Sequence, residues 1–320
     1  MKPFVSTILV VLILAGTSIF IGVSPMSLSQ IFRLDSEGNT ATVLLASRLP
    51  RTFALMLAGT GLAVAGTIMQ MLARNRFAEP STVGTADAAA LGMLITLIVA
   101  PAMPVVGKML VAGLFAMAGT GLFLALLSQI PLRSQLMVPL VGIMFGGVIN
   151  AATAFLAYRF DLMQSLGAWA TGDFSAVLRG RYELLWIALS LTVVAYFAAA
   201  RLTLAGLGEE VARNLGLDYR MVLTLGIVIV ALVTASVVIT VGAIAFVGLV
   251  VPNLVSMAMG DNLRRTLPWV AIGGAGLLLA CDIVGRLIVF PYEIPVGTVV
   301  GVLGSAFFLY LLLTRYRHAG

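Results

Sequence analysis

Long apolar runs, separated by short segments that contain proline, glycine or charged residues, cover most of this 320-residue chain. Most runs have about the 20 residues that an α-helix needs to cross the hydrocarbon core of a bilayer. The pattern predicts an all-α membrane protein of about ten transmembrane helices, forming one domain over residues 1–320. The predicted spans are 4–23, 52–72, 82–100, 105–128, 137–158, 184–203, 221–240, 243–259, 267–289 and 296–314.

The eighth predicted span, 243–259, is short and contains Pro252. Proline removes a backbone donor and disfavours a continuous helix. A broken or partly re-entrant helix is therefore an alternative for this segment. Such a backbone is tolerated at membrane depth only where protein or a water-filled cavity covers it.

The composition supports a membrane protein, since 61% of the residues are hydrophobic and 10% are charged. In soluble domains roughly a quarter of the residues are charged. The net charge of +6 comes from basic residues scattered singly between the apolar runs. They form no basic stripe or recognition helix, so we expect no nucleic-acid partner.

The distribution of Lys and Arg predicts the orientation of the chain in the membrane. An even number of spans places both termini on one side, and the cytoplasmic side carries the basic excess. With both termini inside, eleven of the 19 Lys and Arg residues are cytoplasmic and eight lie on the outer side. We therefore expect a multi-pass membrane protein with cytoplasmic termini.

A short amphipathic helix is predicted within 206–218, on the cytoplasmic side. Glu209 and Glu210 suit the positive end of a helix dipole, and Gly216 suits a helix end. An apolar residue recurs at every fourth position, which places these side chains on one face that another molecule must cover. The apolar positions are Leu207, Val211 and Leu215.

From about residue 44 to the C-terminus, the chain resembles the FecCD family of ABC importer permeases, which serve ferric siderophores, haem and cobalamin. The resemblance is specific for the family and weak on the substrate. Its marks are Arg48-Leu49-Pro50-Arg51, the segment 70–80, Gly208-Glu209-Glu210 to Leu215-Gly216, Phe246 to Pro252, Leu267-Pro268, Asp282 with Arg286, and Glu293-Ile294-Pro295-Val296-Gly297.

Several positions depart from the family pattern. Arg76 stands where proline is usual, and Phe77 and Glu79 are milder changes in the same segment. Asn253 replaces a histidine and Ser256 an arginine. Arg76 is expected to alter the inner loop or its contact with the ATPase, and Asn253 removes any titrating imidazole there.

The resemblance implies a type II ABC importer permease that pairs with a second permease subunit, either a homologous chain or a second copy. It also implies cytoplasmic ABC ATPase subunits and a periplasmic substrate-binding protein as partners. The fifth and tenth spans would lie closest to the pathway, and Arg133 and Ser134 in the inner loop would form a gate. The residues implied to couple to the ATPase are Gly208, Glu209, Glu210, Ala212, Arg213, Leu215 and Gly216.

Arg48 and Arg51 lie three residues apart at the outer end of the second span, and so on one face of a helix. By resemblance they receive carboxylates from the binding protein, which guanidinium groups can bind in a bidentate manner. The alternative is anchoring at the membrane interface, or pairing with Asp35 or Glu37.

Asp282 and Arg286 are ionisable groups within the ninth span, which makes them candidates for function. Their spacing of four residues allows an ion pair that explains both. A rival hypothesis is a secondary transporter with Asp282 or Asp87 as the carboxylate that couples transport to an ion gradient. That hypothesis leaves the helix at 206–218 unexplained.

The chain lacks the phosphate-binding motif of an ATPase, since Lys2 and Lys108 are its only lysines and neither lies in such a motif. We expect a transport subunit that binds no cofactor itself, with ATP on a partner ATPase. A protein-bound iron would need several converging ligands, but the one histidine is His318. Iron is therefore expected to arrive in an organic chelator, and the resemblance implies a ferric siderophore as the cargo, with haem or cobalamin as alternatives.

Overall fold

The computed structural model describes residues 2–21, 42–130 and 136–316. These ranges contain 12 α-helices and no strand. A π-helical turn at Leu44–Arg48 leads directly into α2. The helices are α1 Lys2–Phe20, α2 Leu49–Leu72, α3 Thr85–Val99, α4 Val105–Gln129, α5 Met137–Arg159, α6 Met163–Trp169, α7 Leu185–Gly206, α8 Glu209–Asn214, α9 Tyr219–Val241, α10 Val247–Met259, α11 Leu263–Ile288 and α12 Val296–Tyr316.

Ten of these helices are apolar and correspond to the ten predicted spans, with boundaries that differ by no more than four residues. In the described part of the chain, six helices are long and apolar enough to cross a membrane. The shorter apolar helices are α1, α3, α10 and α12. The predicted all-α membrane fold is confirmed. The sequence did not predict α6, whose 7 residues are too few to leave a periodic pattern.

The helices run between two ends of one bundle. We name the first the Arg51 end, where α2 and α7 begin and α11 finishes. We name the second the α8 end, where α2 and α7 finish and α9 and α11 begin. The short helix α8 and the segment between α2 and α3 both lie at the α8 end. This geometry separates the two predicted partner sites.

Helix α2 is the centre of the bundle and packs against α7, α9, α10 and α11. The apolar window of its span, which includes the π-helical turn, is 83% buried, compared with 22% for α5. Seven of the 17 buried residues of α2 are alanine or glycine, so neighbouring backbones approach it closely. The rest of the bundle is therefore arranged around this helix.

Two glycines of α2 permit these close approaches. A Cβ on Gly59 would lie 2.3 Å from the carbonyl oxygen of Gly274 in α11. A Cβ on Gly66 would lie 2.2 Å from the Cα of Gly248 in α10. In both cases the neighbour is backbone, which cannot rotate away as a side chain can. Only glycine fits at these positions.

Helix α10 begins inside the bundle, beside Gly66 of α2, and finishes at the α8 end. Its 13 residues extend about 20 Å, less than the ~30 Å of a bilayer core. The helix is continuous through Pro252, so it is a short helix and not one broken at the proline. Protein surrounds its first turn, since every residue from Val247 to Asn253 is buried.

We expect Gly66→Ala to destabilise the protein strongly, because its methyl group would overlap the backbone of α10. The loss should be about 2 kcal/mol or more, as for other overpacked interiors. The measurement is unfolding of the purified protein in detergent, followed by circular dichroism.

Gly121→Ala is the matched control, since Gly121 also lies within a helix but has open space where its Cβ would be. Its stability should rise by about 0.5 kcal/mol, because alanine favours helix more than glycine does. Equal stabilities for the two variants would contradict the close contact of α2 with α10.

Candidate functional site

Helix α8 follows α7 directly, and two glycines set its limits. Gly208 has φ 116° and Gly216 has φ 76°, conformations that other residues rarely adopt. Glu209 lies in the first turn and forms an ion pair of 3.2 Å with Arg213, one turn later. The short helix predicted within 206–218 is therefore present as Glu209–Asn214.

The apolar positions of α8 and its flanks point away from the described bundle. Leu207, Val211 and Leu215 are 59%, 43% and 60% exposed. Ala212 is fully buried and packs the helix against the body of the protein. The other residues predicted for ATPase coupling lie on or beside this helix: Gly208, Glu209, Glu210, Arg213 and Gly216. The ATPase-coupling role stays a prediction. It requires a surface that a bound ATPase would cover, and the exposed apolar residues form such a surface.

At the Arg51 end, Arg48 is used to hold α1. Its side chain donates hydrogen bonds to the carbonyl oxygens of Ile19 at 2.8 Å and Phe20 at 3.2 Å. The last carbonyls of a helix have no partner within the helix, and a cation is favourable beside them. Arg48 is 8% exposed, so most of it is inaccessible to a docking protein in this conformation.

Arg51 belongs to a cluster of four charged residues at the same end. Its Nη2 lies 2.7 Å and its Nε 3.1 Å from Oδ1 of Asp282, and its Nη1 lies 2.7 Å from Oε2 of Glu293. Asp282 is also paired with Arg286 in the next turn of α11. Two guanidiniums and two carboxylates leave the cluster neutral, which limits the cost of burying its charges.

Arg286 joins this cluster to α1. Its Nη2 donates to Ser18 Oγ at 2.6 Å, and its Nη1 donates to the carbonyl oxygen of Ile21 at 2.7 Å. The four charged residues and Ser18 therefore connect α1, α2, α11 and the segment before α12. The Asp282–Arg286 pair predicted from the sequence is present, while the contribution of Glu293 to this cluster was missed.

The contacts at the Arg51 end bear on two hypotheses, docking of a binding protein at Arg48 and Arg51 and ion coupling at Asp282. A docking carboxylate would compete with Glu293 for Arg51, and Glu293 is the more accessible partner, with its side chain 27% exposed. The docking role of Arg48 and Arg51 stays a prediction. Asp282 is held by two guanidiniums, so its burial is explained without ion coupling. The proposed alternative partners Asp35 and Glu37 lie outside the described residues.

The three departures from the family pattern at Arg76, Asn253 and Ser256 meet at the α8 end. Arg76 forms an ion pair of 2.5 Å with Asp261 in the turn between α10 and α11. Ser256 donates a hydrogen bond to the same carboxylate. Asn253 Nδ2 donates to the carbonyl oxygen of Arg76 at 2.9 Å. This convergence was not predicted from the sequence.

The remaining predicted sites are only partly within the described residues. Arg133 and Ser134, expected to form a gate, lie outside them, and so does His318. Among the residues that are described, no three His, Cys, Asp or Glu side chains are grouped to hold a metal ion. Asp87 lies on α3, with Oδ2 only 2.7 Å from where a Cβ of Gly146 in α5 would be.

We expect Arg51→Met to destabilise the protein, because it leaves Asp282 buried with Arg286 as its one remaining guanidinium partner. Removing one partner of a buried ion pair costs about 3 kcal/mol. Thermal unfolding in detergent measures the change.

Arg213→Met is the control, since it also removes an arginine–carboxylate ion pair, the Arg213–Glu209 pair, but an exposed one. Its unfolding should change little, because exposed ion pairs contribute little. If both variants unfold like the wild type, the cluster at the Arg51 end does not stabilise the protein.

The chain is similar to transport proteins over almost its whole length. It is 45% identical over 311 residues to the petrobactin import system permease protein YclN of Bacillus subtilis, covering 97% of this chain and 98% of that protein. It is 42% identical over 300 residues to the ferric-anguibactin transport system permease protein FatD of Vibrio anguillarum, covering 94% and 95%.

The fold is similar to that of a solved structure described as an inward-facing conformation of a metal-chelate type ABC transporter. The TM-score is 0.81 at 26% sequence identity, over 98% of this chain and 99% of that one. The model of the FecCD transport family matches residues 8–314. The ten apolar helices, the long alignments and this match together show that the chain belongs to the FecCD transport family.

Proposed function

We propose that this chain is the permease subunit of an ATP-driven importer that moves a ferric siderophore from a periplasmic binding protein to the cytoplasm. The observation that carries the proposal is the end-to-end similarity to permeases named for petrobactin import and ferric-anguibactin transport. The chain is a transport subunit and not an enzyme, as are the permeases of its family. ATP would be bound and hydrolysed by a separate ATPase, with no cofactor on this chain.

The α8 end would face the cytoplasm in a bacterial inner membrane, with both termini on that side. This orientation follows the basic excess of the predicted inner loops. It places the exposed residues Leu207, Val211 and Leu215 where a cytoplasmic ATPase could cover them. The segment 206–218 would then act as the coupling helix that carries ATPase movements into the membrane part.

The Arg51 end would face the periplasm and receive the loaded binding protein. A carboxylate of the binding protein could replace Glu293 at Arg51, because Glu293 is the partly exposed partner. Replacement keeps the charge of the cluster balanced, so docking would not leave Asp282 with fewer cations. Arg48 would contribute by holding the end of α1 in place through its hydrogen bonds to Ile19 and Phe20.

Transport would use alternating access, in which the pathway opens to one side at a time. A second permease subunit, homologous or identical, would complete the pathway together with α5 and α12. Helix α5 has many exposed apolar side chains, as expected for a surface that meets lipid or another subunit. Arg133 and Ser134 would lie at the inner gate.

The transport function predicts ATP-dependent uptake of radioiron-labelled siderophore by proteoliposomes. These vesicles contain the chain, its partner permease, the ATPase and the binding protein. The cargo panel consists of catecholate and hydroxamate siderophores and haem, labelled with radioiron, and of cobalamin, labelled with radiocobalt. Uptake that ignores ATP and follows a proton gradient would contradict the importer function and favour a secondary transporter.

The coupling role of α8 predicts that Val211→Asp with Leu215→Asp releases the ATPase. Two carboxylates on the exposed apolar surface would be desolvated in the interface, which is unfavourable without a partner. We expect the ATPase that co-purifies with the permease to fall about tenfold or more, since each such change costs at least 1 kcal/mol.

The matched control is Leu178→Asp, which changes another exposed leucine, 45% exposed, in the loop before α7. This variant should retain the ATPase. Retention of the ATPase by the α8 variant as well would show that α8 is not its binding site.

A further inference from the structure

The segment of residues 73–84 between α2 and α3, here named the connector, packs against four other parts of the bundle. It begins at the α8 end, directly after α2, and turns back into the protein. Most of its residues are buried, including Phe77 and Glu79 at 3% and 2% exposure. A connecting segment buried to this extent must have its polar groups satisfied by protein. Its contacts therefore identify what it holds together.

At its first residues the connector contacts the start of α8. The Arg74 guanidinium lies against Gly208, with Nη1 3.1 Å from where a Cβ of Gly208 would be. Gly208 is the residue from which α8 begins. A displacement of α8 would therefore press on, or release, the connector.

Further along, Glu79 holds the beginning of α10. Its Oε1 accepts a hydrogen bond of 2.7 Å from the backbone N–H of Phe246, and Ser81 Oγ donates to the same oxygen. The other carboxylate oxygen, Oε2, lies 3.3 Å from where a Cβ of Gly248 in the first turn of α10 would be. A carboxylate suits the N-terminus of a helix, where N–H groups lack partners. Glu79 does this from a position 167 residues earlier in the chain.

Phe246, whose backbone Glu79 binds, also packs against α12. Its φ of 70° is unusual for a residue with a side chain, so the conformation depends on the contacts that hold it. The Phe246 Cβ lies 2.1 Å from where a Cβ of Gly304 would be, so only glycine fits there. A second contact joins the connector to α12 directly, where the rings of Phe77 and Phe308 meet edge to face, 5.6 Å apart.

The end of the connector packs against α5. The carbonyl oxygen of Thr82 lies 2.2 Å from where a Cβ of Gly142 would be. Gly84, with φ 81°, lies against Phe145 of the same helix. The connector therefore touches both helices expected to lie closest to the pathway.

We propose that Glu79 is a positioning residue for transport, through which the connector passes movements of α8 to α10 and α12. The inference rests on the proposed function, because it concerns how ATPase movements reach the pathway. Glu79 touches neither cargo nor ATP. It acts by fixing Phe246, whose backbone it binds and whose side chain packs on Gly304.

The test measures two rates in the reconstituted importer, siderophore uptake and ATP hydrolysis, and compares their ratio. Glu79→Gln keeps the size of the side chain but replaces one acceptor oxygen with a donor that faces other donors. We expect assembled complexes that still hydrolyse ATP, with uptake per ATP about tenfold lower, within the usual range of coupling between sites. Glu79→Asp retains the carboxylate and should lie closer to the wild type.

Phe246→Gly is a second variant that should fold, since glycine readily adopts a positive φ. It removes the ring that contacts α12 and should also lower uptake per ATP. Glu183→Gln is the control, because Glu183 accepts a backbone hydrogen bond from Gly180 at the Arg51 end, away from the connector. Its ratio should equal that of the wild type.

Three outcomes would overturn the inference. Wild-type ratios in both Glu79→Gln and Phe246→Gly would show that this contact does not transmit movement. An equal fall of assembly, ATP hydrolysis and uptake in Glu79→Gln would show a purely structural role. ATP-independent uptake by the wild type would overturn the proposed function, and the inference with it. The first two leave the proposed function intact.

Discussion

The arrangement of this protein depends on close contact between the backbone of α2 and those of its neighbours. Gly59 meets Gly274 of α11, and Gly66 meets Gly248 of α10, with no room for a Cβ at any of these positions. Lipid does not drive helices together as water does, so backbone packing of this kind stabilises the bundle. The contact with Gly66 also fixes the depth at which α10 begins. The short helix α10, and everything attached to its first turn, depends on it.

Charged groups at the Arg51 end and the α8 end serve different purposes. At the Arg51 end, Asp282 is fully buried between two guanidiniums, and the neutral cluster joins four segments of the chain. At the α8 end, the Arg76–Asp261 pair is much more exposed, so it contributes less to stability. A buried cluster specifies one arrangement, whereas an exposed pair can open at low cost. Under the proposed function, the rigid end would receive the binding protein and the end that meets the ATPase would move.

The connector links these features to transport. Arg74 of the connector lies against Gly208 at the start of α8, and Glu79 of the connector binds the backbone of Phe246, whose side chain packs on Gly304 of α12. Each of these contacts is close packing or a hydrogen bond. Such contacts transmit displacement because protein interiors are tightly packed. The exposed apolar residues of α8 would receive the movement from the ATPase under the proposed function. Gly208 lets Arg74 lie close to the start of α8, and Gly304 lets Phe246 lie close to α12.

The sequence alone determined the helical class, the ten apolar helices and the short helix α8. A membrane span needs an uninterrupted apolar run, which is visible in the sequence. Helix α8 has its own start and stop residues and an apolar residue at every fourth position, so it too can be predicted from a local pattern. The sequence also suggested the pair of Asp282 with Arg286, which are one turn apart. The tertiary structure decided the contacts of Arg51 with Asp282 and of Glu79 with Phe246, which are 231 and 167 residues apart in the chain. No local sequence pattern indicates such pairs, because they form only when the helices pack together.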